Sequence, residues 1–278
     1  GLGSSDETAS VDDRKGFWNT ITVAVMKKPL ISMAAAVVFL LVLSYFYLDL
    51  EKGTSGIAVL PDEEPAKQAF QSLDDKFGFG SDAPALVAID GDVGTPEITR
   101  AIELLEAAMI ADPGLQDPVI RIEPGVELAT LTSNVPGDPN NQQALNTIRR
   151  LRSDLIPTAF QDVPTSDYNA YVGGGSALVV DSVQMTDDYM PIVIGTVLTL
   201  SFILLLFAFR SITISIASII MNLLSVGAAY GLVVLVFQKG FLIDLFGFEQ
   251  VEQIEFWLPL FMFSILFGLS MDYHVFML

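Results

Sequence analysis

The sequence has no cysteine and only one histidine, His274. Disulfide bonds and metal sites built on thiolates are therefore excluded within this chain. Basic residues are also scarce, 14 against 33 acidic residues, and the formal net charge of -19 would repel the phosphates of a nucleic acid. No glycine-rich phosphate loop is present, since the GGG at 173–175 is typical of a turn before a helix. ATP is thus disfavoured as an energy source, and we expect neither a cofactor nor a metal.

Long apolar segments without charge dominate the composition, which is 51% hydrophobic. Four of them cover residues 30–48, 190–209, 211–237 and 256–271, and the last resumes after Asp272. A helix of about 20 apolar residues crosses the ~30 Å hydrocarbon layer of a membrane. We therefore predict an integral membrane protein with four spans, the last three within residues 190–278. The chain begins with Gly and ends six residues after Asp272, so we expect a fragment whose last span is truncated.

The segment between the first two apolar runs, residues 49–189, contains 24 acidic and 8 basic residues and carries -16 of the net charge. Such a segment must form a separate domain in water. Lys27 and Lys28 precede the first run and Arg210 lies between the second and third, and basic residues mark the cytoplasmic side of a membrane. We therefore expect the N-terminus to be inside and residues 49–189 to be extracytoplasmic.

Residues 1–29 are predicted to be a polar cytoplasmic lead-in followed by a short helix at the membrane surface. In the alternative, that helix only extends the first span. A signal peptide is disfavoured, because 29 residues precede the first apolar run and no small-residue cleavage site follows it.

The acidic segment alternates between strand and helix patterns. Strands are predicted at residues 83–90, 119–123, 125–134 and 168–172, with the middle two separated at Pro124-Gly125. Helices are predicted to begin at Asp62, at Thr95-Pro96 and at Asp138-Pro139, where a capping residue precedes an apolar stripe. From residue 83 the order is that of a ferredoxin-like split βαβ unit. The expected fold class is therefore a membrane α-helical bundle with an α+β extracytoplasmic porter domain of this type.

One more helix is predicted to start with Ser176 as its cap and to continue into the second apolar run. A continuous helix transmits displacement without a hinge. We therefore expect the outer domain and this span to move together as one rigid rod.

The last apolar run is interrupted by a single acid, Asp272. A carboxylate at the centre of a bilayer costs at least ~2.5–3.5 kcal/mol, so such acids normally face a protein interior or a water cavity and have a function. Asp272 lies about 22 Å along a helix that starts near Trp257, which is well inside the membrane. The alternative, an acid at the interface where the span ends, is disfavoured because VFML still follows.

Neighbouring residues fit a proton-exchanging group. Gly268 precedes Asp272 by one helical turn on the same face and leaves room for a neighbouring helix. Tyr273 is an adjacent hydrogen-bond donor, and Ser264 and Ser270 add hydroxyl groups.

The third apolar run carries Asn222 and Ser225, followed by GAAYG at 227–231, whose glycines have the spacing of closely packed helices. Asn222 lies about 16 Å from the inner end of its helix, within roughly two turns of the depth of Asp272. It is therefore either a hydrogen-bond partner of the acid or part of a structural bond between helices. His274 is about 200° round the helix from Asp272 and is expected to pack or to line a cavity.

The runs MNLLSVGAAYG and GLSMDY, with the apolar sequence around each, resemble the MMPL branch of the resistance-nodulation-division (RND) superfamily. The resemblance implies two similar halves, each with six spans and one outer porter domain, of which this chain resembles spans seven to ten of the second half. In that family an Asp-Tyr pair on the fourth span and another on the tenth form a proton relay. Asp272 and Tyr273 match the second pair, with Asn222, Ser225 and Gly268 as supporting residues. The first pair has no counterpart in this chain.

The resemblance implies a transporter, not an enzyme, which uses the proton gradient to export lipids or other hydrophobic molecules across the cytoplasmic membrane of a prokaryote. Its expected partners are that cargo, protons, membrane lipids and the missing half of the transporter. An oligomer is possible, and the sequence does not predict its size. A sensor or scaffold with the same membrane core is the alternative, because it can retain the acid. An intramembrane aspartyl protease is disfavoured, since its chemistry needs two facing carboxylates and the predicted spans contain only Asp272.

Overall fold

The computed structural model describes residue 22 and residues 25–77, 84–122 and 127–276, and for residues 271–276 it describes the backbone alone. In chain order the helices are α1 (Pro29–Tyr45), α2 (Pro65–Phe77), α3 (Pro96–Ala111), α4 (Gln142–Arg150), α5 (Ile156–Ala159), α6 (Gly175–Phe209), α7 (Ile212–Val233), α8 (Ile243–Phe246) and α9 (Leu258–Phe276). The strands are β1 (Lys52–Gly53), β2 (Ala85–Gly91), β3 (Gln116–Ile122), β4 (Leu128–Asn134), β5 (Tyr168–Gly173) and β6 (Ile254–Glu255).

Among the described residues, three helical segments are long and apolar enough to cross a membrane: Pro29–Asp49, Gly175–Phe209 and Ile212–Gln238. They contain the first three predicted spans apart from Ser211, so the helical bundle is confirmed. In α9 the apolar portion Leu258–Ser270 is shorter than a span. The fourth span therefore stays a prediction.

The predicted lead-in and most of the interfacial helix, residues 1–21 and 23–24, lie outside the described residues, as does the predicted break at Pro124-Gly125. Met26 and Lys27 are helical, but Lys28 is not, with φ -141° and ψ 66°. The residue before a proline is disfavoured in the helical region, so Pro29 sets the start of α1.

Helices α1 and α7 pack together through the glycines predicted to permit close contact. A Cβ added at Gly227 would lie 2.9 Å from Ser44 Oγ, and one added at Gly231 would lie 1.7 Å from the Leu43 carbonyl oxygen. Ser44 Oγ also donates to the Leu224 carbonyl at 3.4 Å. The prediction of close helix packing at this spacing is confirmed.

The segment predicted to be extracytoplasmic, called the outer domain below, is built on a four-stranded antiparallel sheet with the strand order β3-β4-β2-β5. Buried and partly exposed residues alternate along β4, the pattern of a sheet covered on one face. Helices α3 and α4 contribute their predicted apolar stripes to its core: Ile98, Ile102, Leu105, Met109, Leu145 and Ile148. The four predicted strands and the helix beginning at Thr95-Pro96 are therefore confirmed in the described residues.

Two predicted helix starts in this domain are wrong by a few residues. The helix expected from Asp62 begins at Pro65, and the Asp62 carboxylate instead lies 2.7 Å from Lys67 Nζ. The helix expected from Asp138 begins at Gln142, because Asn141 is the cap: its Oδ1 accepts from the Ala144 amide at 2.7 Å. Asp138 accepts from a backbone amide in the preceding turn, which removes it from the cap position.

Helix α6 runs without interruption for 35 residues, roughly 52 Å, from the outer domain into the membrane. Ala177, Val180 and Val183 on its first turns are buried in the core of the sheet domain. The predicted continuous helix is confirmed, but Ser176 is not its cap. The helix begins at Gly175, and the Ser176 hydroxyl donates instead to the Pro139 carbonyl at 2.6 Å.

A second, two-stranded sheet connects the end of α1 with the start of α9. Strand β1 follows α1, β6 precedes α9, and the two pair in parallel with Lys52 opposite Ile254. This pairing places the start of α9 beside the segment that leads into the outer domain.

Candidate functional site

The candidate site lies within the bundle, where α7 and α9 meet. Asn222 on α7 is only 3% exposed, and its Oδ1 accepts a hydrogen bond from Ser270 Oγ on α9. Asn222 therefore takes part in a bond between helices. A bond from Asn222 to Asp272 stays a prediction, because the Asp272 side chain lies outside the described residues. Among the described side chains the Asn222 Nδ2 has no hydrogen-bond partner, and an unsatisfied buried donor costs about 1–3 kcal/mol.

Aromatic packing fixes the position of α9 beside this pair. Phe263 and Phe267 are 1% and 2% exposed, and their rings stack with centroids 5.2 Å apart. They pack against Met190 of α6 and Tyr230 of α7, whose hydroxyl donates to the Pro259 carbonyl. Sequence reasoning missed this contact, although a tyrosine between two glycines in an apolar helix was a signal for it.

Asp272 lies on α9 about 21 Å from the start of the helix at Leu258. Its side chain and those of Tyr273 and His274 lie outside the described residues. Asp272 is two residues beyond Ser270, so its position is about 200° round the helix from the one that contacts α7. The backbone alone therefore places the acid on a different face of α9 from the bond to Asn222.

The helix face that carries Asp272 is open in the described structure. Gly268, one turn earlier, is exposed, and a Cβ added there would meet nothing within 4 Å. Ile265 and Phe261, on the same face, are 43% and 54% exposed. The room predicted at Gly268 for another helix is present, and none of the described helices fills it.

The other predicted polar residues are not brought together with Asn222. Ser225 is exposed on α7. Ser264 is exposed on α9, and its hydroxyl donates to the Leu260 carbonyl of its own helix at 2.9 Å.

Several ion pairs lie in the outer domain and at its junction with the apolar helices. Arg150 donates from Nε to Asp112 Oδ2 at 2.7 Å, and this hydrogen bond lowers the pKa of the Asp112 carboxyl from its ordinary value. At the junction with the membrane helices, Lys239 Nζ lies 2.7 Å from Asp49 and Lys52 pairs with Asp187 on α6. Within the described ranges, no three His, Cys, Asp or Glu side chains are close enough together to hold a metal ion.

Comparison with protein families identifies the chain. The sequence model of the MMPL family matches residues 126–278, more than half of the chain. The chain belongs to the MMPL family of the RND superfamily. The identification made from MNLLSVGAAYG and GLSMDY is confirmed.

Three relatives show how this chain compares with other members. It is 31% identical over 271 residues to the mycolic acid-containing lipids exporter MmpL11 of Mycolicibacterium smegmatis, covering 94% of this chain and 27% of that protein. It is 29% identical over 268 residues to the heme uptake protein MmpL11 of Mycobacterium tuberculosis, with the same coverage of each chain. It is 25% identical over 275 residues to the trehalose monomycolate exporter MmpL3 of M. smegmatis, covering 95% of this chain and 26% of that protein. The chain thus spans about a quarter of the length of these relatives.

Proposed function

We propose that the protein to which this chain belongs exports lipids or other hydrophobic molecules across the cytoplasmic membrane and uses the proton gradient to do so. The observation that carries this proposal is the single acid, Asp272, on an apolar helix of an MMPL-family chain. The class of cargo comes from two relatives named as lipid exporters. The activity is that of a secondary transporter, not an enzyme.

The finer architecture supports this function. We assign residues 1–29 to a cytoplasmic lead-in, 30–48 to the first span, 49–189 to the outer porter domain and 190–278 to three further spans. The strand order β3-β4-β2-β5, with α3 and α4 in the crossovers, favours a ferredoxin-like porter domain. Arg210, in a left-handed turn between α6 and α7, favours an inner location for that turn by the positive-inside rule.

We assign Asp272 and Tyr273 to the proton relay, with Asn222, Ser225 and Gly268 as supporting residues. Exposure of a carboxylate to hydrocarbon is energetically unfavourable, so other protein segments must pack against the open face of α9 in the membrane. Because the chain spans only about a quarter of the length of its relatives, we assign those segments to the rest of the protein. The bond between Ser270 and Asn222 then fixes the rotation of α9 and with it the helix face that the rest of the protein would contact.

Helix α6 provides the mechanical link from the relay to the cargo. Near the middle of α6, Met190 packs against Phe263 and Phe267 of α9. The first turns of α6 are buried in the outer domain. A change in the packing of α9 on protonation of Asp272 would therefore move the outer domain through a helix with no break. That movement would open or close the path for cargo.

The experiment uses the full-length parent protein in sealed vesicles. Efflux of a fluorescent lipid is measured under an imposed proton gradient for wild type, Asp272→Asn and Asp188→Asn. The matched control removes one exposed carboxylate from the outer part of α6. At equal abundance and folding, we expect wild type and Asp188→Asn to export the lipid and Asp272→Asn to fall to background.

Two outcomes oppose this proposal. Gradient-driven export that persists in Asp272→Asn would make the acid structural. Wild type that ignores the gradient would favour the sensor or scaffold alternative. Because one relative is named a heme uptake protein, a fluorescent porphyrin in place of the lipid tests that cargo and its direction in the same vesicles.

A further inference from the structure

Three segments meet around a cavity of about 210 Å³ where the membrane helices join the outer domain. They are residues 54–56 after β1, residues 138–141 before α4, and residues 250–253 before β6. The cavity separates the outer domain from the chain that leads into α9. Any side chain that bridges it joins the helix carrying Asp272 to the outer domain.

Gln253 is such a bridge, and its surroundings are shaped for it. The side chain is 4% exposed, and its Nε2 donates to the Asn140 carbonyl at 2.9 Å. Its Oε1 lies 1.4 Å from where a Cβ of Gly53 would be. A side chain at position 53 would therefore displace the Gln253 amide from this position. In the described structure Oε1 is buried without a hydrogen-bond partner, so the amide has one bonding group still unused.

The bridge closes a continuous path of contacts between two membrane helices. Gln253 immediately precedes β6, which leads into α9. Asn140, the residue that Gln253 contacts, lies on the other side of the cavity. The carbonyl of its neighbour Pro139 accepts a hydrogen bond from the hydroxyl of Ser176, on the first turn of α6. The outer ends of α9 and α6 are thus joined through residues 139 and 140, independently of their packing within the membrane.

We infer that Gln253 is the positioning residue of a second route, beside α6, through which movement of α9 reaches the outer domain at the start of α4. The inference rests on the proposed function, in which protonation of Asp272 moves α9. A hydrogen-bond network with rigid elements at both ends can carry energetic coupling. The cavity gives the bridge space to move, and the free Oε1 gives it a second bonding arrangement. The outer domain then receives the displacement at two points, along α6 and at the start of α4.

Hydrogen exchange in the full-length parent protein tests this coupling by a double-variant cycle. Asp272→Asn serves as the protonation mimic, and amide exchange is followed in peptides covering residues 138–146. Gln253→Met keeps the side-chain length but removes the donor. Gln250→Met is the matched control, because the Gln250 amide donates to Gln238 and not to the outer domain.

We expect Asp272→Asn to change the exchange rates of residues 138–146 by about fivefold or more in wild type and in Gln250→Met. In Gln253→Met the response should be largely lost. A role of Gln253 in stability alone would shift the baseline rates but leave the response to Asp272→Asn unchanged, and that result would overturn the inference. No response to Asp272→Asn in any background would overturn it as well.

A second variant keeps the inference testable if Gln253→Met fails to fold. Ser176→Ala removes the bond between α6 and Pro139 but leaves the Gln253 bridge intact, so residues 138–146 should respond to Asp272→Asn as in wild type. Loss of that response in Ser176→Ala would show that the displacement reaches α4 through α6 and Ser176, and would contradict the inference. Lipid export is measured in the same preparations, so a failure of the proposed function appears there and is separate from the exchange result.

Discussion

Replacing Gly231 by alanine places a methyl group against the backbone of the neighbouring span. Its Cβ would lie 1.7 Å from the Leu43 carbonyl oxygen, and α1 has to move away by roughly 1.5 Å before the contact is tolerable. Overpacking of this kind costs about 1–3 kcal/mol. Alanine itself favours a helix over glycine by about 0.5–1 kcal/mol. The net effect should be a loss of about 0–2.5 kcal/mol relative to wild type and about 1–3 kcal/mol relative to an alanine substitution without the clash, together with separation of α1 from α7.

Gly195→Ala on α6 is the matched control, since a Cβ added there meets nothing within 4 Å. It keeps the gain in helix propensity without the clash, so its thermal midpoint in detergent should equal or exceed that of wild type. Gly231→Ala should show a lower midpoint under the same conditions, and cross-linking between α1 and α7 should be reduced. Equal midpoints for the two variants would refute the close packing deduced for this pair of helices.

Three further predictions concern the outer domain, the junction and the candidate site. Asp112→Asn should destabilise the protein by about 1.5–3 kcal/mol at pH 7. The hydrogen bond from Arg150 lowers the pKa of Asp112 in the folded state. This contribution to stability is therefore present above the unfolded pKa of about 3.9 and is lost as the pH falls through the folded pKa. Thermal midpoints of wild type and variant should therefore converge below about pH 4, and a constant gap would contradict the ion pair. Gly53→Ala should displace the Gln253 amide and lower the free energy of unfolding by up to about 3 kcal/mol, seen as a lower thermal midpoint. An unchanged midpoint with unchanged exchange near α4 would exclude the contact. Ser270→Ala should cost about 0.6 kcal/mol and at most about 1.7 kcal/mol, the mean and the maximum for hydrogen bonds between membrane helices. A denaturation midpoint equal to that of wild type would show that the bond is absent.

Patterns that report burial predicted much of the fold. The apolar runs predicted the three long helices, and the alternation of strand and helix patterns predicted the elements of the outer sheet. The glycines at 227 and 231 predicted the close packing of α1 on α7. In each case a periodic or compositional signal extends over many residues, and burial of apolar surface makes that signal strong.

Local hydrogen-bond competition explains the predictions that are wrong. Asp62, Asp138 and Ser176 are all good capping types, but each has another partner: Lys67, the backbone amide of Asn140, and the Pro139 carbonyl. Asn141 became the cap instead of Asp138 because its side chain reaches the Ala144 amide. Sequence alone does not rank such partners, since several lie within a few residues of each helix start.

Contacts between distant segments explain what sequence reasoning missed at the site. Ser270 was noted only as a hydroxyl near Asp272, while its bond to Asn222 depends on how α7 and α9 are rotated against each other. The bridge from Gln253 to Asn140 joins residues 113 positions apart in the chain. No periodicity reports either contact. The role of Asp272 itself stays a prediction, as do those of Tyr273, Ser225 and Gly268.

The measurement that tests the central claim most directly is proton movement driven by cargo. A secondary transporter is reversible, so a gradient of fluorescent lipid alone should move protons through the full-length parent protein in sealed vesicles, as reported by an internal pH dye. We predict that wild type acidifies or alkalinises the vesicle interior according to the direction of the lipid gradient, and that Asp272→Asn at equal abundance does not. Proton movement of equal size in Asp272→Asn would contradict the assignment of Asp272 as the coupling acid.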